Sequence, residues 1–132
     1  MLEKYPQQVK LVFKNFPLRS HNFARQAAAA ALAAHAQGRF WDFHDALFAG
    51  YNNLNEAKLE EIRAHLELDK SAFDAQRKAP QVMDQIKKDI QWAREADVKG
   101  TPAVYINGRS QRSRSLESFS AAVDAELQQL GR

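Results

Sequence analysis

The sequence predicts an α/β fold in which a long helical region separates two strands, and three observations carry that reading. Val9-Lys10-Leu11-Val12-Phe13-Lys14-Asn15-Phe16 is β-branched and aromatic, with apolar residues on both faces at its centre, as in a strand covered by helices above and below. From about residue 20 to residue 97 the apolar residues recur at helical spacing. Gly100-Thr101-Pro102 then leads into Ala103-Val104-Tyr105-Ile106 and Asn107-Gly108, which reads as a loop, a strand and a tight hairpin.

Leu2-Glu3-Lys4-Tyr5-Pro6 has the pattern of the last turn of a helix closed by proline. Pro17 ends the first strand. Ser20 or Asn22 can cap the helix that follows, in which Ala27 to Ala31, Leu32, Ala33, Ala34 and Ala36 are strong helix formers with a small-residue surface; Gly38 terminates it. In the next helix Phe40, Phe43/His44, Leu47 and Phe48 share a face, and that aromatic set is expected to be core rather than a ligand box. Asn52 to Asn55 make a turn and cap. Leu59, Ile62 and Leu66 form the stripe of a third helix. Asp69 caps a short fourth helix holding Ala72 and Phe73. Pro80 fits the first turn of a fifth, with Val82, Ile86, Ile90 and Ala93 on one face as far as about Asp97. Ser115 caps a C-terminal helix marked by Leu116, Phe119, Val123, Leu127 and Leu130.

Pro102 is expected at the first residue of its strand, where the missing N–H harms no ladder, and Thr101 before it is pushed towards an extended conformation. Thr101-Pro102 is also the X-Pro bond at which a cis peptide with a purpose is expected. At 132 residues the chain is expected to form one domain, 45% hydrophobic and 27% charged. No apolar run reaches membrane-spanning length and no secretory signal is visible. With 19 Lys+Arg against 16 Asp+Glu, the excess of +3 is read mainly as a solvated surface. The chain has no cysteine, which excludes disulfides, thiolate catalysis and Cys-ligated metals.

Tyr5-Pro6, the Val9–Phe16 strand with Pro17-Leu18, the Ala-rich helix, Gly38-Arg39-Phe40-Trp41 with His44-Asp45 and Leu47-Phe48, and Gly100-Thr101-Pro102-Ala103 with Ile106-Asn107-Gly108 together resemble the DsbA-like thiol:disulfide oxidoreductases of the thioredoxin superfamily. The similarity runs in the family's order along nearly the whole chain. It implies an incomplete thioredoxin-like fold over residues 1–132, with a helical insertion at about 20–97 and without the first strand and Cys-x-x-Cys segment that precede the Tyr-Pro in that family. The chain is then a portion of such an oxidoreductase, without redox turnover of its own, since dithiol exchange needs a thiolate. Met1 would be an internal methionine, a misassigned start or the start of a genuine short product.

The resemblance carries over Gly100, Thr101 and Pro102 as the loop that lines the substrate groove and offers backbone groups to an extended peptide or protein substrate. It implies export, periplasmic or otherwise, for a longer family member, and a cytoplasmic location if Met1 is the true start. The missing strand would leave two unpaired sheet edges, which self-association, strand exchange or direct pairing of the flanking strands would complete. The main alternative is a non-catalytic thioredoxin-like module that binds a peptide or partner.

Other chemistry is less well supported. His21, His35, His44 and His65 show no metal-ligand spacing, and His44, between Asp42 and Asp45, is expected to be a locally hydrogen-bonded rim residue. No cofactor is expected, and no nucleophilic-serine motif is present. Arg109-Ser110-Gln111-Arg112-Ser113-Arg114-Ser115 is basic and could contact phosphates, but has no interleaved aromatic for base stacking, so nucleic-acid binding is a lesser alternative.

Overall fold

The computed structural model describes residues 1–17 and 23–131, so the expected caps Ser20 and Asn22 lie outside the described residues. The chain has the α/β make-up expected, mostly helical with one two-stranded antiparallel sheet among the described residues. It divides into two compact units, one formed by Met1–Lys14 with Asp97–Arg132 and the other by Asn15–Ala96.

The Asn15–Ala96 unit is helical. Its elements are α1 (Ala24–Ala36), α2 (Phe40–Ala49), a single 3-10 turn at Tyr51–Asn53, α3 (Glu56–His65), α4 (Lys70–Arg77) and α5 (Pro80–Glu95). Helix α1 is the hub: Ala30, Ala33 and Ala34 are fully buried, and their small side chains let neighbouring helices pack close to its backbone. Gly38, at φ +75°, takes the left-handed conformation that ends this helix. Asn55 and Asp69 act as caps, their side chains accepting from Lys58 N and Ala72 N. Pro80 opens α5.

The aromatic face of α2 divides. Phe43 and Leu47 are buried and Phe40 packs at the edge of the core, whereas Phe48 is 63% exposed. Positions 47 and 48 are about 100° apart around the helix, so only one of them points squarely at α1. Phe43 meets Phe73 of α4 with ring centroids 5.6 Å apart, and the Arg77 guanidinium lies 5.6 Å from the Phe73 ring centroid.

Arg77 also grips Glu56 of α3 with Nη2 at 2.6 Å and Nη1 at 3.0 Å. That hydrogen-bonded pairing lowers the Glu56 pKa, against the opposing effect of burial. Because the folded value is the depressed one, the stabilisation is complete above the ordinary glutamate pKa of about 4.3 and is lost as pH falls through the lowered folded value. Thermal midpoints measured from pH 7 down to pH 3 are expected to fall at the acid end, with Arg77→Gln showing a shallower fall. For so exposed a carboxylate the difference is about 0.5 kcal/mol. Parallel profiles for the two proteins would refute the assignment.

The other unit contains β1 (Tyr105–Ile106), β2 (Arg109–Ser110) and α6 (Leu116–Gln129). Asn107 at φ +47° and Gly108 at φ +80° form the turn between the strands, and the pairs Tyr105↔Ser110 and Ile106↔Arg109 fix the register. Two positive-φ residues in a two-residue loop match the right-handed twist of the strands they join. Ser115 caps α6, accepting from Ser118 N. Tyr5 is buried and its hydroxyl donates to Asp124 Oδ1 at 2.6 Å, tying the start of the chain to α6. On α6 only Val123 of the expected stripe is buried, while Leu116 and Leu130 are 64% and 63% exposed.

One expected element is corrected. Val9–Phe16 is not a strand: among the described residues the only ladder is the β1–β2 hairpin. Leu11, Val12 and Phe13 are exposed at 57%, 57% and 39%. Alternation and β-branching describe what a strand's side chains want, but a ladder also needs a paired backbone, and among the described residues none forms a ladder with this segment. Direct pairing with the Ala103–Ile106 segment, one of the three ways considered for completing the sheet, is not present among the described residues. That second strand is itself shorter than expected, keeping only Tyr105 and Ile106. The expected last helical turn at residues 2–6 is present only as hydrogen-bonded turns, with Tyr5 N donating to Met1 O at 3.0 Å.

Candidate functional site

The candidate site lies in the Met1–Lys14/Asp97–Arg132 unit, on the loop that precedes the hairpin. Gly100, Thr101, Pro102 and Ala103 are all exposed, and the Thr101–Pro102 peptide bond is cis. Among the described residues nothing hydrogen-bonds to the backbone of Gly100, Thr101 or Ala103. Immediately downstream the backbone is engaged: Gln111 N donates to Val104 O at 2.9 Å, beside the β1–β2 pairing. The loop is therefore a run of solvated donors and acceptors leading into a fixed strand.

Two attachments hold this arrangement. Arg114 Nη1 donates to Pro102 O at 2.7 Å, fixing the loop from the segment before α6. Glu126 of α6 accepts from Asn107 Nδ2 at 3.2 Å and lies 3.5 Å from Arg109 Nε, which ties the hairpin turn to the helix. The residues Gly100, Thr101 and Pro102 thus come together as one exposed edge, while the role of Arg114 is not legible in the sequence. An arginine twelve residues beyond a loop carries no local signal of where its side chain lands.

The histidines are placed separately. His44 Nδ1 lies 3.0 Å from Asp45 Oδ1, and the His44 ring sits 4.7 Å from Phe48 and 5.2 Å from Trp41, centroid to centroid. His35 is next to Phe40, His65 is exposed at the end of α3, and His21 lies outside the described residues. Among the described residues no group of three or more His, Asp or Glu is placed to hold a metal ion. No helix among them is long and apolar enough to cross a membrane.

An exposed loop ahead of a short hairpin, backed by a C-terminal helix, is a thioredoxin-like arrangement, and the family comparison agrees: a family model described as thioredoxin matches residues 1–125, and the chain belongs to that family. A crystal structure of a thioredoxin-like oxidoreductase from Silicibacter pomeroyi superposes with a TM-score of 0.74 at 24% identity, covering 90% of this chain and 68% of that one.

Among relatives in sequence, a probable disulfide bond formation protein D from Bacillus anthracis is 27% identical over 128 residues, 91% of this chain and 58% of that protein. A Na(+)/H(+) antiporter NhaA 3 from Salinispora tropica is 36% identical over 117 residues, covering 87% of this chain. The chain spans 18% of that antiporter's length.

Proposed function

We propose that this chain is the substrate-peptide portion of a DsbA-like thiol:disulfide oxidoreductase, with Gly100, Thr101 and Pro102 as its contact with an extended peptide. The observation that carries the reading is the backbone of Gly100, Thr101 and Ala103, unpaired among the described residues, an exposed edge able to exchange main-chain hydrogen bonds. The relationship to a probable disulfide bond formation protein supports the peptide class, since disulfide bonds join residues of polypeptide chains.

The chemical step is not assigned to this chain. Disulfide exchange begins with thiolate attack on a sulfur, and there is no cysteine here to supply the thiolate. A dithiol would have to come from outside these 132 residues. Export to an oxidising space goes with this reading, because that is where such exchange is needed. The same lack of cysteine favours the second reading, a thioredoxin-like module that binds a peptide or partner without turnover.

The test is amide-resolved NMR titration of the whole chain with an extended, uncharged apolar peptide. Saturable shifts are expected at Gly100, Thr101, Ala103 and Val104, and Ala103→Pro, which removes one donor outside the ladder, is expected to weaken binding by up to about tenfold. Shifts confined to other surfaces would overturn the site. Dithiol-driven reduction of a disulfide substrate by the pure chain would overturn the assignment of chemistry. Sequencing upstream of the Met1 codon separates the two readings: an in-frame Cys-x-x-Cys supports the oxidoreductase, and an upstream stop with a native mass of 132 residues supports the module. Retention on heparin to high salt would instead favour nucleic-acid binding through Arg109–Arg114.

A further inference from the structure

The two units differ in charge. The unit of residues 1–14 and 97–132 carries eight Lys and Arg against five Asp and Glu, whereas residues 15–96 carry eleven of each. All of the chain's excess of +3 therefore lies in the unit that holds the exposed loop.

Three of that unit's five carboxylates are engaged. Asp124 takes the Tyr5 hydroxyl at 2.6 Å, Glu126 takes Asn107 and faces Arg109 at 3.5 Å, and Asp97 faces Lys99 at 4.0 Å. Arg112 and Arg114 are both exposed, and among the described residues neither lies within ion-pair distance of a carboxylate. Arg114 is placed at the loop itself through its 2.7 Å bond to Pro102 O. A guanidinium has five N–H donors in a planar fork, so most of that group remains available on the edge where a peptide would lie.

We infer that the loop selects acidic peptides: an extended chain pairing with Gly100–Ala103 would set a carboxylate against Arg114, with Arg112 adding to the same positive field. This rests on the peptide-binding reading above and adds its substrate class. Arg114 then has two functions, holding the Pro102 carbonyl and receiving the peptide's charge. The basic segment from Arg109 to Ser115 would thereby serve protein recognition rather than phosphate binding.

The experiment compares two fluorescent peptides of equal length and identical apolar core, one flanked by glutamates and the other by glutamines, titrated into the whole chain at 20 mM and 300 mM salt. The glutamate peptide is expected to bind about three- to tenfold more tightly at low salt, and the ratio to fall towards one at high salt. The variants Arg112→Gln and Arg114→Gln, judged by the affinity ratio rather than by either affinity alone, are expected to reduce that preference. Equal binding of both peptides would overturn the acidic preference and leave the peptide site standing. Binding of neither would overturn the site and the preference together. A preference that persists at high salt, or in the double variant, would place the selecting charge elsewhere and refute the assignment to Arg114; the salt series in the unaltered chain keeps the test decisive if a variant fails to fold.

Discussion

Phe73→Ala is expected to destabilise the helical unit by about 3–5 kcal/mol. Phe73 is fully buried on α4, and its ring meets the equally buried Phe43 of α2 at a tilt of 33°. The Arg77 guanidinium also lies over it, 5.6 Å from the ring centroid and held there by Glu56. Truncation would remove the transfer energy of the ring, open a cavity between α2 and α4 and take away the surface on which Arg77 rests. The alanines of α1 make this worse, because a wall built from Ala30, Ala33 and Ala34 has no side chains long enough to swing into the space. Small domains are stable by only about 5–15 kcal/mol, so the variant would be marginal at room temperature. The chain's two tryptophans, Trp41 and Trp92, both lie on helices of this unit and report its unfolding in urea. A midpoint shift worth less than about 1 kcal/mol would show that the α2–α4 contact is not the keystone of the packing.

What the sequence made legible is what is decided locally. The Asn107-Gly108 turn, the caps at Asn55, Asp69 and Ser115, the proline start of α5 and the glycine end of α1 each depend on residues within about four positions of one another. Long-range consequences were legible only where a periodic stripe meets a continuous neighbour, as for Leu59, Ile62, Val82 and Ile86. Val9–Phe16 has a strand's side chains but lacks a strand's neighbour, a property of the rest of the chain rather than of those eight residues. The loop at Gly100–Pro102 could be singled out from its residues and from family resemblance. Its usefulness, however, depends on which backbone groups are left unpaired, and on an arginine that arrives from residue 114. The helical stripe of α5 also hid a signal in plain view: position 89 falls on the same face as Val82, Ile86 and Ala93, and a carboxylate there marks a buried polar contact.

That carboxylate carries the second large prediction. Asp89 is 3% exposed and Asn15 5%, and Asp89 Oδ2 accepts from both the backbone N–H and the side-chain Nδ2 of Asn15, at 2.9 and 2.8 Å. Oδ1 accepts from Gln85 Nε2 at 2.9 Å, so both oxygens are satisfied. Asp89→Leu keeps the branching at Cγ, adds bulk at a buried site and strands two buried donors of Asn15, and is expected to cost about 2–4 kcal/mol. Asp89→Asn retains one oxygen as an acceptor, and its cost is expected to be about half as large. Asparagine matches aspartate in size, so the asparagine variant reads the loss of charge and acceptors without a change of packing. The contact also fixes Asn15 itself to α5, at a point where no ladder holds the backbone. Asp89→Leu should therefore quicken tryptic cleavage after Lys14 by more than its loss of global stability explains, whereas Phe73→Ala should quicken it only in step with global unfolding. If the leucine and asparagine variants are equally stable, or if cleavage at Lys14 follows global stability in both proteins, the buried carboxylate is a spectator.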